Sequence, residues 1–174
     1  MTWLEIIDSA VKIGLGALIA GASAWALARG QYSHDLRKSK VAREFELLKD
    51  IAEKVERFTH SALKYWAISA DWHRARRTNP NAIKSDTLLS AQKELFSRFN
   101  ELTSAEAFLL LLGQKSAQAQ LRAYGEHVMV YRRSVSRSAA PMSDGQIEDY
   151  RMYILKARES FFEHLNEMYG KLGP

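Results

Sequence analysis

A chain of 174 residues with 47% hydrophobic side chains, 3 Pro and 9 Gly is long enough for one packed domain with an appendage, and its composition argues against disorder. The absence of cysteine excludes disulfides, thiol catalysis and cysteine-based metal sites. A formal net charge of +5 permits contact with anionic lipid or nucleic acid without requiring either.

Residues 1–8 carry only Glu5 and Asp8 as charges, and from Ile13 to Ala28 there is none. Extended back to Ser9, with Lys12 its one charge, the stretch is about 20 residues, which at ~1.5 Å per residue matches the ~30 Å core of a bilayer. Lys12 can carry its ammonium along its stem to the headgroups. Trp3 and Trp25 stand near the two edges, as interfacial aromatics do. Arg29 closes the stretch, and His34, Arg37, Lys38, Lys40 and Arg43 follow. This asymmetry predicts a membrane helix over 9–29 in a bacterial inner membrane, with residues 1–8 outside and 30–174 in the cytosol. Two other readings of the segment stand beside it. One is a cleaved export signal ending at Ala26-Leu27-Ala28, against which the acidic start counts. The other is a buried helix of a soluble domain.

Gly14, Ala17, Gly21, Ala24 and Ala28 recur at spacings of 3, 4, 3 and 4. They form a seam of small residues down one helix face. Lipid supplies no hydrophobic drive between helices, so association depends on close backbone approach, which small residues allow. The expected partners are therefore the bilayer and further copies of the chain, as a dimer or as a ring around a pore.

From Tyr32 to about Arg76, apolar residues recur at steps of 3 or 4 (Leu36, Val41, Phe45, Leu48, Ala52, Val55, Ala62, Tyr65, Ser69, Trp72), which predicts a long helix. Arg77 to Asn81 reads as a turn. Asp86 is expected to cap a second helix ending near Leu102. Thr103-Ser104-Ala105-Glu106 has the form of a capping box that opens a third. The run Ala107 to Gly113 is too short to span a bilayer and is expected to be a buried turn stopped by Gly113. A further helix covers about Ser116 to Arg137. After a loop with Pro141, Ser143 to Gln146 reads as another cap, and a last helix runs to Tyr169, closed by Gly170. Alternating strand patterns are absent. The fold class is all-α: an N-terminal membrane helix continuing into a long helix and a cytosolic bundle of four or five helices.

Most catalytic signatures are missing. Gly14-Leu15-Gly16 lacks the Lys-Ser or Lys-Thr of a phosphate loop, and neither His-Glu-x-x-His, Glu-x-x-His nor Gly-x-Ser-x-Gly occurs. No metal site, cofactor or small-molecule substrate is expected. Arg122 to His127 fits Arg-x4-His, the pattern with which HEPN ribonucleases bracket a phosphodiester: His moves the proton and Arg steadies the phosphate charge. Arg29 to His34 fits it too, and Arg158 to His164 fits a looser form. At ~100° per residue, positions 122 and 127 lie ~140° apart on one helix. The pair therefore reads as catalytic, as plain helix surface, or as a contact for assembly or RNA. Arg132, Arg133 and Arg137, with Tyr124 and Tyr131 nearby, are candidates for an RNA backbone; a basic helix end is the simpler reading. Tyr65, Trp66 and Trp72 read as core aromatics.

An N-terminal span, a long following helix, a helical domain and an Arg-x4-His together resemble the small one-span membrane accessory proteins encoded beside type VI, RNA-targeting CRISPR effectors. The resemblance covers the whole layout and rests on architecture, with Arg122 and His127 as its matched residues. It implies a HEPN-like fold without evident nuclease activity. It also implies a multi-subunit pore that depolarises the membrane during antiviral defence, with an RNA-guided effector or RNA as partner. A membrane-tethered ribonuclease and a non-enzymatic scaffold are the alternatives.

Overall fold

In the computed structural model, the backbone is described for residues 3–137 and 140–171, and side chains for Trp25, 37–137 and 140–171. Four helices account for nearly all of it: α1 (Trp3–Thr78), α2 (Asp86–Leu111), α3 (Lys115–Arg137) and α4 (Asp144–Gly170). No strand occurs among the described residues. Two compact units are separated at 43/44, inside α1. The side chains of Trp3, Lys12, Gly14, Ala17, Gly21, Ala24, Ala28 and Arg29 lie outside the described residues, as does most of the expected span 9–29. Trp25, which is described, is 64% exposed. Among the described residues, no helix is long and apolar enough to cross a membrane.

The described residues from Glu44 onward form the bundle. Cross-helix pairs fix its directions. Lys64 meets Glu94 and Arg57 meets Glu101, so α2 runs back along α1. Tyr124 reaches Thr59 and Tyr131 reaches Ser69, so α3 runs with α1. Arg77 meets Asp144 and Glu56 meets Arg158, so α4 runs against it. This is an up-down-up-down four-helix bundle with short connections.

On α1, a buried stripe, with Thr59, Ser61 and Ala70 buried beside it, runs through Leu48, Ile51, Val55, Phe58, Ala62, Tyr65, Ser69 and His73. Their steps of 3 and 4 average near 3.5, the period that keeps one stripe facing a bundle core. The stripe differs in part from the one expected. Ile51 takes the inward place assigned to Ala52, Phe58 fills a gap, and His73 is buried where Trp72 is only partly so. Phe45 is exposed and packs its ring on Tyr169 at 5.6 Å. Each fully buried large apolar side chain contributes roughly 1.5–3 kcal/mol, whereas an exposed ion pair contributes about 0–1. Apolar packing therefore dominates, and the outer ion pairs are secondary. The helix ends at Thr78, just ahead of Asn79-Pro80, because the residue before a proline is pushed out of the helical region.

Helix α2 corrects three expectations. Its N-cap is Ser85, whose hydroxyl accepts from the Leu88 amide, and Asp86 is the first helical residue. It does not break at Thr103. The Thr103 and Ser104 hydroxyls donate to the carbonyls of Phe99 and Asn100, four residues back, so both residues sit in a helix interior rather than at a cap. The apolar run at its end is not a buried turn either: Leu109 is buried, but Leu110 and Leu111 are 50% and 74% exposed. The expected stop at Gly113 holds. Gly113 takes φ +73, its amide donates to Leu110 and the Gln114 amide to Leu109, which is a Schellman motif. In α4 the expected capping box is present, with Ser143 and Gln146 satisfying each other's backbone amides. Gly170 does not close it; the helix runs through Gly170 and Lys171 is the cap.

The closest helix approaches are α2 to α3 and α3 to α4. Gly125 on α3 explains the first, since a Cβ there would overlap Leu102 Cδ2. Overpacking a core costs ~1–3 kcal/mol, and alanine regains ~1 kcal/mol of helix propensity over glycine. Gly125→Ala is therefore expected to lower the melting temperature of the detergent-solubilised chain by a few degrees, read by circular dichroism. In a Leu102→Ala background the obstruction is gone, and the same substitution should be stabilising relative to Leu102→Ala alone. An equal effect in both backgrounds would show that the Leu102 contact is not what demands glycine.

Candidate functional site

Helix α3 has three working faces. Its buried stripe (Ala117, Leu121, Tyr124, Val128, Tyr131, Val135) looks into the core, and the two flanks look toward α2 and α4. Arg122 and His127 fall on opposite flanks, as their helical spacing requires. Arg122 borders a cleft of about 470 Å³ together with Phe99, Leu102, Glu106 and Arg133. Its guanidinium contacts Glu106 Oε2 at 3.1 Å, and Gln118 donates to the same oxygen at 2.8 Å. The positive charge is thus already matched within the chain.

His127 lines a different concavity, a cavity of about 600 Å³ under the α3–α4 connection, with Ser134, Met142, Asp149, Tyr150 and Tyr153. That volume lies in the range of small-molecule sites. The imidazole stacks on Tyr153, with centroids 3.4 Å apart and planes 22° apart, and Tyr150 is tilted against it at 5.4 Å. Burial pushes the His127 pKa down, which favours the neutral ring. The stack continues inward through Tyr150–Tyr131 at 4.4 Å and Tyr131–Tyr65 at 6.0 Å. The structure therefore does not bring Arg122 and His127 together within one chain.

The other sequence candidates disperse as well. Arg132 is half-buried, its guanidinium 6.0 Å from the Phe96 ring centroid and its Nε buried without a hydrogen-bond partner. Arg133 lines the α2–α3 cleft, and Arg137 ends α3, where a cation suits the helix dipole. Tyr124 and Tyr131 cannot stack on bases beside them, since each is 1% exposed. Tyr65 is in the core. Trp66 and Trp72 anchor connections instead, their indoles donating to the carbonyls of Ile147 and Ala82. Among the described residues, no group of His, Asp or Glu could hold a metal ion.

One residue behind the cavity escaped the sequence reading. His73 on α1 is fully buried, and its Nδ1 accepts from the Met142 amide at 3.2 Å, holding the strand of loop that walls the cavity. Its Nε2 is buried without a partner. The signal was a histidine four residues past Ser69 on the inward stripe. The cavity wall from α4, Tyr150 and Tyr153 at spacing 3, was visible only once α4 was paired with α3. No known protein family, curated protein or solved structure matches the chain.

Burial, then the charges of Arg76, Arg77 and Lys84, push His73 down to about 4 from its ordinary 6.5. The unfolded chain therefore binds this proton more readily than the folded one. The contribution of neutral His73 is complete above pH ~6.5 and is lost as pH falls from there toward about 4, up to ~3 kcal/mol in all. Chemical denaturation of the detergent-solubilised protein across that window should show the decline. His73→Asn, which keeps an acceptor for the Met142 amide but does not titrate, should flatten it.

Proposed function

We propose that the chain is a membrane-anchored homo-oligomeric effector that permeabilises a bacterial inner membrane, with its bundle in the cytosol. The observation that carries this reading is α1. One unbroken helix, Trp3–Thr78, includes both the apolar sequence Ile13 to Ala28 and the core stripe Leu48 to His73. A helix satisfies its own backbone groups, which is what a span in hydrocarbon demands. The seam Gly14, Ala17, Gly21, Ala24 and Ala28 supports association of copies through that segment. Arg122 is paired with Glu106 and His127 lies in a separate cavity, which favours a non-enzymatic effector over a tethered ribonuclease. The resemblance of the layout to accessory proteins of type VI CRISPR systems extends the proposal to antiviral defence, with an RNA-guided effector or RNA as the triggering partner.

Purified protein reconstituted into dye-loaded vesicles is expected to release the dye, and its mass in detergent to be a multiple of the 19.8 kDa chain. Gly21→Ile, which holds helix backbones apart, should lower both the release and the mass while leaving helix content unchanged. A monomer that leaks nothing refutes the proposal. The same protein incubated with labelled RNA should leave it intact, and His127→Ala should not alter the profile; RNA cleavage lost in His127→Ala would establish the ribonuclease reading instead.

A further inference from the structure

The cavity beside His127 has an electrostatic character unlike the rest of the molecule. The chain carries a formal charge of +5, yet the cavity is lined by no lysine or arginine. Its single charged lining residue is Asp149, near the start of α4, which makes no hydrogen bond or ion pair with any described residue. Its aromatic walls are His127, Tyr150 and Tyr153, all half-buried, so part of each ring system is open to the cavity. Among the other polar lining groups, the Ser134 hydroxyl donates to the Val130 carbonyl, and Gln146 Oε1 accepts from the Ser143 amide.

Ring faces are electron-rich, and a carboxylate adds a full negative charge. Together they attract a cation with an apolar periphery, held by cation–π contact on the rings and by the carboxylate on its open side. A phosphate or carboxylate ligand would meet no cation in the lining and would be repelled by Asp149. We propose that this cavity binds a small organic ammonium, with Tyr150, Tyr153 and His127 as the aromatic cage and Asp149 as its counter-ion. The volume of about 600 Å³ accommodates an alkylated or polyamine-type ammonium rather than a bare metal ion. His73 is a positioning residue for the site, since it fixes the backbone of Met142, which lines the cavity. This inference does not depend on the membrane reading, because the whole cavity lies within the bundle.

The test is calorimetric titration of the detergent-solubilised full-length chain with tetramethylammonium and with spermidine, and with adenosine monophosphate as the anionic comparison. Saturable binding of at least one ammonium is expected, with none for the nucleotide. Tyr153→Leu should weaken it by roughly tenfold, in line with about 1–2 kcal/mol for a cation–π contact, and Asp149→Asn, at an exposed carboxylate, by about two- to fivefold. Tyr153→Phe keeps the ring face and should bind as the parent does, which separates loss of the cage from loss of the fold. Absence of saturable binding by either ammonium, binding unaffected by Asp149→Asn, or preference for the nucleotide would each overturn the proposal.

Discussion

Two buried hydroxyl pairs set the register on which the bundle depends. Tyr124 donates to Thr59 at 3.0 Å, and Thr59 in turn donates to the Val55 carbonyl; Ser69 and Tyr131 meet at 2.6 Å. All four side chains are at most 1% exposed. A hydroxyl buried without a partner costs on the order of 1–3 kcal/mol, so sliding α3 by one turn along α1 would strand both pairs at once. Apolar contacts alone are tolerant of such a slip. The hydroxyls are what make one alignment of the two helices better than its neighbours. Burial keeps both phenols protonated: it pushes each well above its ordinary value, against the opposing effect of the Thr59 and Ser69 hydroxyls.

With that register set, the remaining contacts fall into place around α3. Gly125 lets α2 come close at Leu102, and the tyrosine stack leads outward through Tyr150 to His127 and Tyr153. The cavity is thus the outer end of a continuous aromatic column that begins in the core at Tyr65. The rings in its wall stand on α3 and α4 and are held by packing, which gives them little freedom to rearrange. Arg74 and Arg77 of α1 both reach Asp144 at the start of α4, and the hydrogen bond from Arg77, aided by the charge of both guanidiniums, holds that carboxyl below its ordinary value. Being exposed, these pairs orient the helix end more than they stabilise it.

Periodicity and turn chemistry were readable where they act locally. The span of α3, the Ser143 capping box and the stop at Gly113 each follow from a few neighbouring residues. Thr103 to Glu106 shows the limit of that logic. The same letters that cap a helix can sit inside one when their hydroxyls turn back to carbonyls at i−4, and only the continuing burial of Leu102, Ala105 and Leu109 decides between the two. Leu110 and Leu111 show a second limit, because hydrophobicity does not say whether a neighbouring helix extends far enough to cover a residue. For the site, the divergence of Arg122 and His127 was already implied by their angular separation. The cavity itself was not, because its walls come from α3, α4 and the Pro141–Met142 connection, and no single stretch of sequence contains that meeting.

In the tip joining α2 to α3, Leu112 packs on the core but Gly113 faces open space. A Cβ on Gly113 would touch nothing within 4 Å, so only its left-handed backbone resists change there. Lengthening such a link costs closure entropy that grows only with the logarithm of its length. The tip is accordingly a natural splice point, where a reporter domain or epitope inserted into the chain would be carried by the bundle without entering its interior.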